Sequence, residues 1–224
     1  SNVSHELRTP LTSMKVLSDS LLMQEDVPNE LYKEFMQDIA AEIDRENRII
    51  NDLLTLVKLD KTSGDLDVTS VSVNETIELI LKRLRPIARK QDVEVIFESN
   101  RSVVDEIDEV KITLALTNLV ENAIKYNKEH GFVKVILDAD HQFFTVQVED
   151  SGIGIPESSY EYIFQRFYRE DKSHSKEIGG TGLGLSITRN IILMHRGTIA
   201  VSSVMGEGTT FTVKIPLIYI RQEG

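Results

Sequence analysis

The spacing of apolar residues changes once along this chain, near residue 60, and this change limits the fold more than any other feature of the sequence. Before it, apolar residues recur at alternating steps of three and four, the pattern of helices packed along a seam. Pro28 and Asn29, within 24–30, favour a break between two such helices. We therefore predict an all-α helical hairpin over residues 1–62. The first seam comprises Val3, Leu7, Pro10, Met14, Leu17 and Leu21, and the second comprises Met36, Ile39, Ile43, Ile50, Leu53 and Val57.

A hairpin of this kind has one apolar stripe on each helix and little of its own to cover it. Two copies can bury their stripes together in a dimeric four-helix bundle. The stripes could instead pack onto the remainder of the same chain. The dimer is the simpler arrangement, and we expect a homodimer.

After a polar linker at residues 63–70, the pattern becomes mixed over 71–224, where helices and strands do not alternate one for one. This order favours an α+β two-layer sandwich over a doubly wound sheet. Asp108 is predicted to cap the N-terminus of the helix at 108–127. The predicted helices are 74–91, 108–127 and 183–195, and the predicted strands are 93–98, 132–140, 143–150, 198–204 and 209–216.

The composition excludes several classes of protein. A net charge of −11 argues against a nucleic-acid partner, for which a basic surface is expected. Because the chain has no cysteine, disulfides and thiolate metal sites are excluded. No apolar run approaches the roughly 18–20 residues that span a bilayer. The abrupt start inside a helical pattern suggests an excised piece of a longer protein.

The helical segment TNLVENAIKYN carries four polar or aromatic side chains on one face, namely Asn118, Asn122, Lys125 and Tyr126. An amide oxygen can ligate Mg²⁺ without adding charge, a lysine can meet phosphate, and a tyrosine can cover a base or ribose. The alternative is an ordinary solvated helix face.

Two glycine-containing segments point to the same kind of ligand. In EDSGIGIP, Gly152 and Gly154 let the backbone approach a ligand, and Asp150 could accept a hydrogen bond from an adenine amino group. This segment could also be a simple turn. In GGTGLGLSI (179–187), four glycines precede a helix whose free N–H groups suit phosphate. The polar stretch between the two segments is either a functional lid or disordered.

Five segments in order, SHELRTPLTS, NLVENAIKY, DSGIGIP, FQRFYR and GGTGLGLSI, resemble the motif set of bacterial two-component sensor histidine kinases. The resemblance covers nearly the whole chain. It implies a dimerisation and phosphoacceptor hairpin, followed by an ATP-binding domain of the type shared with gyrase and chaperone ATPases. It also implies ATP and Mg²⁺ as cofactors and a cytoplasmic position in a membrane-anchored sensor, with any membrane contact made through upstream segments.

The resemblance assigns roles to individual residues. His5 would be the phosphoacceptor, Asn122 the Mg²⁺ ligand and Asp150 the adenine contact. His174 stands where many relatives have an arginine, which leaves open the cation that meets the γ-phosphate. The other residues implied in nucleotide binding are Asn118, Lys125, Tyr126, Gly152, Gly154, Ile155, Phe167, Arg169, Lys172, Gly180, Thr181, Gly182, Leu183, Gly184 and Thr210.

His5 lies between the seam positions Val3 and Leu7, so it is predicted to point away from the hairpin core. A neutral imidazole is a competent nucleophile near pH 7, and Glu6 can hold the proton of the second ring nitrogen. Thr9, one turn on, is implied by the resemblance to support dephosphorylation of the partner. Pro10 can bend the helix beside His5.

The predicted reaction is autophosphorylation of His5, followed by transfer to an aspartate of a response-regulator receiver domain. The receiver would dock below His5 on Ser13, Val16 and Ser20. Two other classes remain: a signalling scaffold that has lost transfer, and a clamp ATPase. Labelled ATP separates the three, because only the kinase gives acid-labile, base-stable label on the protein.

Overall fold

A computed structural model describes residues 2–23, 27–61, 66–170 and 180–217, with the side chains of residues 2–6, 60 and 61 outside that description. The chain divides into two compact units. One comprises Ser1–Lys58 and Arg166–Leu183, and the other comprises Leu59–Gln165 and Gly184–Gly224. No described helix is both long enough and apolar enough to cross a membrane.

The helical hairpin is confirmed. Helix α1 spans Asn2–Leu22 and contains Pro10 in its interior, and helix α2 spans Asn29–Lys61. Within α1 the hydroxyls of Thr12 and Ser20 donate to the carbonyl four residues earlier. The interruption between Leu22 and Asn29 agrees with the predicted break.

The predicted seam of α1 is its less exposed face, and Pro10 is buried within it. The predicted seam of α2 is wrong in part, because it mixes two faces. Ile49 and Leu56 form the buried face, each 1% exposed. A second row recurs every seven residues and stays exposed in the single chain: Met36, Ile43, Ile50 and Val57. A pattern of three- and four-residue steps cannot separate two adjoining apolar stripes on one helix.

The predicted seam of α2 has no member between Ile43 and Ile50, and the structure shows half-buried polar side chains at that level. Glu46 Oε2 and the neighbouring Arg45 Nε are buried without a hydrogen-bond partner among the described residues. Burial raises the pKa of Glu46, and the charge of Glu42 raises it further. The hairpin therefore contains a polar interruption at this level of α2.

The second unit contains three helices, seven strands and one short 3-10 helix among its described residues. In chain order they are β1 Thr69–Ser72, α3 Val73–Lys90, β2 Glu94–Ser99, β3 Val104–Ile107, α4 Glu109–Lys125, β4 Phe132–Ala139, β5 Phe143–Asp150, the 3-10 helix Glu157–Ser159, α5 Gly184–Met194, β6 Thr198–Val204 and β7 Gly208–Pro216.

Five strands form one mixed sheet in the order β2-β4-β5-β7-β6. The β2–β4 pair is parallel and the other pairs are antiparallel. Residues alternate between buried and half-exposed along β4 and β5, as a sheet covered on one face requires. Helices α3, α4 and α5 supply the covering layer through apolar faces that include Ile77, Leu119 and Ile191. The predicted α+β two-layer sandwich is confirmed.

Two short strands were not predicted. Strands β1 and β3 pair as a separate antiparallel ribbon, with Thr69 opposite Ile107 and Ser70 opposite Glu106. The sequence predicts that Thr69 and Ser70 belong to the 63–70 linker because the segment around them is polar and contains glycine. The ordered structure of the second unit therefore begins before residue 71.

Asp108 caps α4 as predicted, since its Oδ1 accepts from the Lys111 N–H at 3.0 Å. The structure adds a buried partner that the sequence does not reveal. The Asp108 N–H donates to His195 Nε2 at 3.1 Å, and His195 Nδ1 lies 2.8 Å from the Ile191 carbonyl oxygen. His195 thereby joins the end of α5 to the start of α4 in a single tautomer, protonated on Nδ1.

Candidate nucleotide site and phosphoacceptor helix

Helix α4 separates an apolar face from a polar one. Its buried residues include Leu116, Leu119, Val120 and Ala123. The four side chains singled out in the sequence are all half-exposed on the remaining surface: Asn118, Asn122, Lys125 and Tyr126. The Lys125 ammonium lies 5.5 Å from the centroid of the Tyr126 ring. Helical periodicity alone therefore presents this polar face.

Asn118 joins α4 to the start of α5. Its amide nitrogen donates to the Gly184 carbonyl at 3.2 Å and lies 3.5 Å from Thr188 Oγ1. The Thr188 hydroxyl in turn donates to the Ala115 carbonyl at 3.3 Å. These bonds commit the amide nitrogen and leave the Asn118 oxygen as the available acceptor.

Asn122 lies one turn beyond Asn118, and its side chain makes no hydrogen bond within the described part of the chain. A half-exposed, uncommitted amide oxygen is a suitable hard ligand for Mg²⁺. It adds no negative charge, which suits an ion that also binds nucleotide phosphates. The donor chemistry at Asn122 therefore fits this ion.

The turn after β5 packs against the end of α4. The Ile153 N–H donates to the Tyr126 carbonyl at 3.1 Å. A Cβ on Gly152 would lie 2.3 Å from the same oxygen. Gly154 has a φ of +76°, and its Cβ would lie 2.3 Å from the Val204 carbonyl oxygen. Both glycines are required by this close approach of backbone segments.

Asp150 ends β5 and is 9% exposed. Its Oδ1 accepts from the Gly152 N–H at 2.8 Å and the Thr209 N–H at 3.3 Å. Its Oδ2 bonds to no described residue. Burial raises the pKa of Asp150 to about 6, and the charge of Glu149 adds to the rise. One carboxylate oxygen is thus fixed by backbone donors and the other is available to a ligand.

The strand register places Thr209, rather than the predicted Thr210, beside Asp150. Thr210 pairs with Glu149, whereas Thr209 pairs with Asp150. Because paired residues share a face of the sheet, Thr210 lies on the face opposite Asp150. Thr209 is buried, and its hydroxyl lies 2.9 Å from Ser203 Oγ. An unaligned sequence has no signal that fixes this one-residue register.

Two other predicted residues have clear positions in this unit. The Ile155 N–H donates to Ser203 Oγ at 2.8 Å, which holds the turn against β6. Gly184 begins α5, and its Cβ would meet only the Asn118 amide, at 3.6 Å. The structure therefore brings Asn118, the turn after β5 and the start of α5 onto the surface around α4.

The other predicted residues belong to the first unit. The Phe167 N–H donates to the Gly182 carbonyl at 2.9 Å, and both residues have positive φ. This contact joins the two described ends of the polar stretch that the sequence predicts to be either a functional lid or disordered. Arg169, Gly180 and Thr181 are half-exposed here, and Leu183 is buried. Lys172 and His174 lie outside the described residues.

His5 and Glu6 are helical in α1, but their side chains lie outside the described residues. Thr9 is exposed one turn later, and Pro10 beside it is buried. The outward direction of the His5 ring and a bend at Pro10 therefore stay predictions.

Comparison with known proteins finds one family match in the helical hairpin, a second in the α+β part of the chain, and relatives that cover both. Residues 1–62 match the His Kinase A (phospho-acceptor) domain, and residues 107–218 match the histidine kinase-, DNA gyrase B- and HSP90-like ATPase family. The sensor histidine kinase WalK of Bacillus subtilis is 37% identical over 218 residues, covering 96% of this chain and 36% of that protein. WalK of Staphylococcus saprophyticus is 38% identical over 217 residues, covering 96% and 35%. The chain spans about a third of the length of these relatives.

Solved histidine kinase structures share the fold. AdeS of Acinetobacter baumannii aligns with a TM-score of 0.75 at 24% identity, covering 96% of this chain and 98% of that one. ThkA, in complex with the response regulator protein TrrA, gives 0.78 at 28% identity, covering 97% and 60%. The catalytic domain of ThkA gives 0.61 at 33% identity, covering 68% and 99%. From its domain matches, its relatives and its fold, this chain belongs to the bacterial two-component sensor histidine kinases and contains their phosphoacceptor and ATPase domains.

Proposed function

We propose that this chain phosphorylates itself on His5 with Mg·ATP and passes the phosphoryl group to an aspartate of a response-regulator receiver domain. The observation that carries the proposal is the presence, in one chain, of a phosphoacceptor domain match that includes His5 and an ATPase domain match over 107–218. This chain would be the cytoplasmic portion of a membrane-anchored sensor.

The surface around α4 supports nucleotide binding. The accessible Oδ2 of Asp150 accepts from the amino group of adenine. Tyr126 and Lys125 lie at the same end of α4, where they contact the ribose and phosphates. Asn122 would hold Mg²⁺, which would neutralise phosphate charge. Arg169 and Lys172 are the cations assigned to the phosphates from the segment between the glycine motifs.

The transfer needs a nucleophile and a place for one proton. The unprotonated nitrogen of the His5 ring attacks the γ-phosphorus, and the bond between that phosphorus and the ADP oxygen breaks. The other ring nitrogen then bears a hydrogen and a positive charge. Glu6 accepts that hydrogen bond and takes the proton, which leaves a neutral phosphoimidazole.

The partners follow from the hairpin. The exposed row on α2, whose four residues are spaced seven apart, is a surface on which a second copy can pack, and this supports the homodimer. The similar kinase ThkA has been crystallised with a response regulator protein. We place the receiver domain of this system on α1 below His5, at Ser13, Val16 and Ser20.

Phosphatase activity towards the phosphorylated regulator is part of the proposal, with Thr9 placing the attacking water. Thr9→Ala should leave autophosphorylation within about twofold of wild type. It should lower the rate of regulator dephosphorylation by at least about tenfold, as expected for loss of a group that orients a reactant. Thr12→Ala, at an exposed threonine on the same helix, is the matched control. Equal loss of both activities in Thr9→Ala would contradict this separation of roles.

Incubation with γ-labelled ATP tests the main proposal. Wild type should acquire acid-labile, base-stable label, and His5→Gln and Asn122→Ala should not. His5→Gln should still bind Mg·ATP, whereas Asn122→Ala should bind adenosine but lose the Mg²⁺ dependence of ATP binding. Release of free phosphate without labelled protein would indicate an ATPase, and neither product would indicate a scaffold.

A further inference from the structure

One hydrogen bond inside the first unit connects the glycine motif to the phosphoacceptor hairpin. The Thr181 hydroxyl donates to Asp52 Oδ2 on α2 at 2.6 Å. Both side chains are half-buried. The distance lies in the range of a hydrogen bond from a hydroxyl to a charged oxygen, the stronger class of such bonds.

The surroundings of Asp52 make this bond important to the carboxylate. Burial raises the pKa of Asp52, and the bond from Thr181 and the charge of Arg48 oppose that rise. A carboxylate that has lost part of its water needs such a donor. Arg48 lies one turn earlier on α2 and is exposed.

The Thr181 hydroxyl has a single hydrogen, and this contact uses it. Its oxygen also accepts from the Leu183 N–H at 3.3 Å. Nucleotide phosphate oxygens are acceptors only, so Thr181 cannot donate to a phosphate while it donates to Asp52. The negative charge of Asp52 would also repel a triphosphate at this position. The Thr181 hydroxyl can therefore donate either to Asp52 or to a phosphate, but not to both at once.

We propose that Asp52 of the hairpin competes with the phosphates of the nucleotide for the hydroxyl of Thr181, so that the contact lowers the affinity for ATP. The inference rests on the proposed function, and on Thr181 lying in the glycine motif GGTGLGLSI, whose free N–H groups suit phosphate. It adds a regulatory role for α2 beyond packing, because any movement that weakens the Asp52 contact would favour nucleotide binding.

Binding measurements on the whole chain test the competition. Asp52→Ala should lower the dissociation constant of Mg·ATP about fivefold, equivalent to about 1 kcal/mol. Asp52→Asn keeps an acceptor without the charge and should lower it about twofold. Adenosine has no phosphate, so its affinity should stay at the wild-type value in both variants. Asp44→Ala, at an exposed acidic residue on the same helix, is the control and should change neither affinity. An unchanged or weaker affinity for Mg·ATP in a folded Asp52→Ala protein would overturn the competition.

The threonine completes the test. Thr181→Ser keeps the hydroxyl, so in that background Asp52→Ala should still lower the dissociation constant of Mg·ATP about fivefold. Thr181→Val removes both uses of the hydroxyl, and in that background Asp52→Ala should relieve only the charge repulsion, lowering the dissociation constant no more than about twofold. A full fivefold effect of Asp52→Ala in the Thr181→Val protein would show that the hydroxyl is not the group competed for.

Because the chain has no cysteine, crosslinking can test the contact without relying on activity. The double variant Asp52→Cys with Thr181→Cys should be joined by a short thiol-to-thiol reagent, and Mg·ATP but not adenosine should suppress the product. The pair Asp44→Cys with Thr181→Cys is the control and should not react. Absence of the crosslink would refute the contact, and a crosslink insensitive to bound Mg·ATP would refute the competition. If the crosslink forms but no variant binds Mg·ATP, the proposed function fails and the contact itself stands.

Discussion

At the scale of single residues, Asp150 shows how a group proposed to bind a ligand can oppose stability. Its carboxylate is buried and, within the described part of the chain, receives two backbone donors, both on Oδ1. Burial holds its pKa at about 6, so near neutral pH the folded protein carries a poorly solvated charge. This desolvation lowers the stability of the nucleotide-free protein. In the proposed complex, the amino group of adenine would supply the hydrogen-bond donor that Oδ2 lacks.

Asp150→Asn should therefore stabilise the nucleotide-free protein above about pH 7. An asparagine oxygen can accept from both backbone N–H groups without a charge to desolvate, and we expect a gain of about 2 kcal/mol in the free energy of unfolding. The folded pKa is raised, so the wild-type carboxyl regains stability as the pH falls from about 6 towards its ordinary value of 3.8. The advantage of the variant should disappear over that range. Urea unfolding at several pH values measures it, and Asp67→Asn, at an exposed carboxyl of the same unit, is the control.

The glycines of the site differ in what they require, and two alanine variants should separate them. Gly154→Ala places a Cβ 2.3 Å from the Val204 carbonyl oxygen at a positive φ, so it should lower the free energy of unfolding by at least about 2 kcal/mol. Gly184→Ala meets only ordinary contacts at the start of α5 and should leave stability within about 1 kcal/mol. If phosphates approach this helix start, Gly184→Ala should nevertheless weaken Mg·ATP binding. Thermal unfolding measures the effect on stability, and titration with Mg·ATP measures the effect on binding. Equal destabilisation by both variants would contradict the steric argument.

At the scale of elements, sequence patterns predicted the long helices and the central strands because each has a strong period of its own. They failed where an element depends on a distant partner. Strands β1 and β3 have four residues each and exist through their pairing with one another. Thr209 and Thr210 lie on opposite faces of the sheet, which a one-residue difference in register decides, and α2 has two apolar stripes rather than one. The contacts of His195 and Asp52 join residues far apart in the chain, which no local pattern encodes.

The hydrogen bond that connects the start of α4 to the end of α5 requires a neutral His195. His195→Leu would leave the Asp108 N–H buried without its acceptor, at a cost of about 2 kcal/mol in the free energy of unfolding. Burial lowers the pKa of His195 from 6.5, so its contribution is complete above pH 6.5 and is lost as the pH falls through the lower folded value. The difference between wild type and variant should therefore narrow in acid. Denaturant titrations across this range measure it, with exposed His141→Leu as control; a difference that does not vary with pH would contradict the neutral tautomer.

At the scale of the whole molecule, the hairpin has two different apolar surfaces that can be tested separately. The row on α2 leaves Met36, Ile43, Ile50 and Val57 between 42% and 47% exposed in the single chain. Val16 on α1 is 58% exposed and lies on the surface proposed for the receiver domain. A homodimer would cover the first surface and leave the second open.

Ile43→Glu should accordingly convert the dimer to a folded monomer. In a twofold-symmetric bundle the change occurs twice at one interface, and each copy removes a buried isoleucine and adds a charge away from water. We expect the dimer dissociation constant to rise at least about 100-fold, measured by sedimentation equilibrium, with helix content by circular dichroism unchanged. Val16→Glu is the matched variant: it should remain dimeric and autophosphorylate normally, while phosphoryl transfer to the receiver slows. If Val16→Glu dissociates the dimer and Ile43→Glu does not, the assignment of the two surfaces is reversed. The exposed row on α2 would then face the receiver domain instead of a second copy.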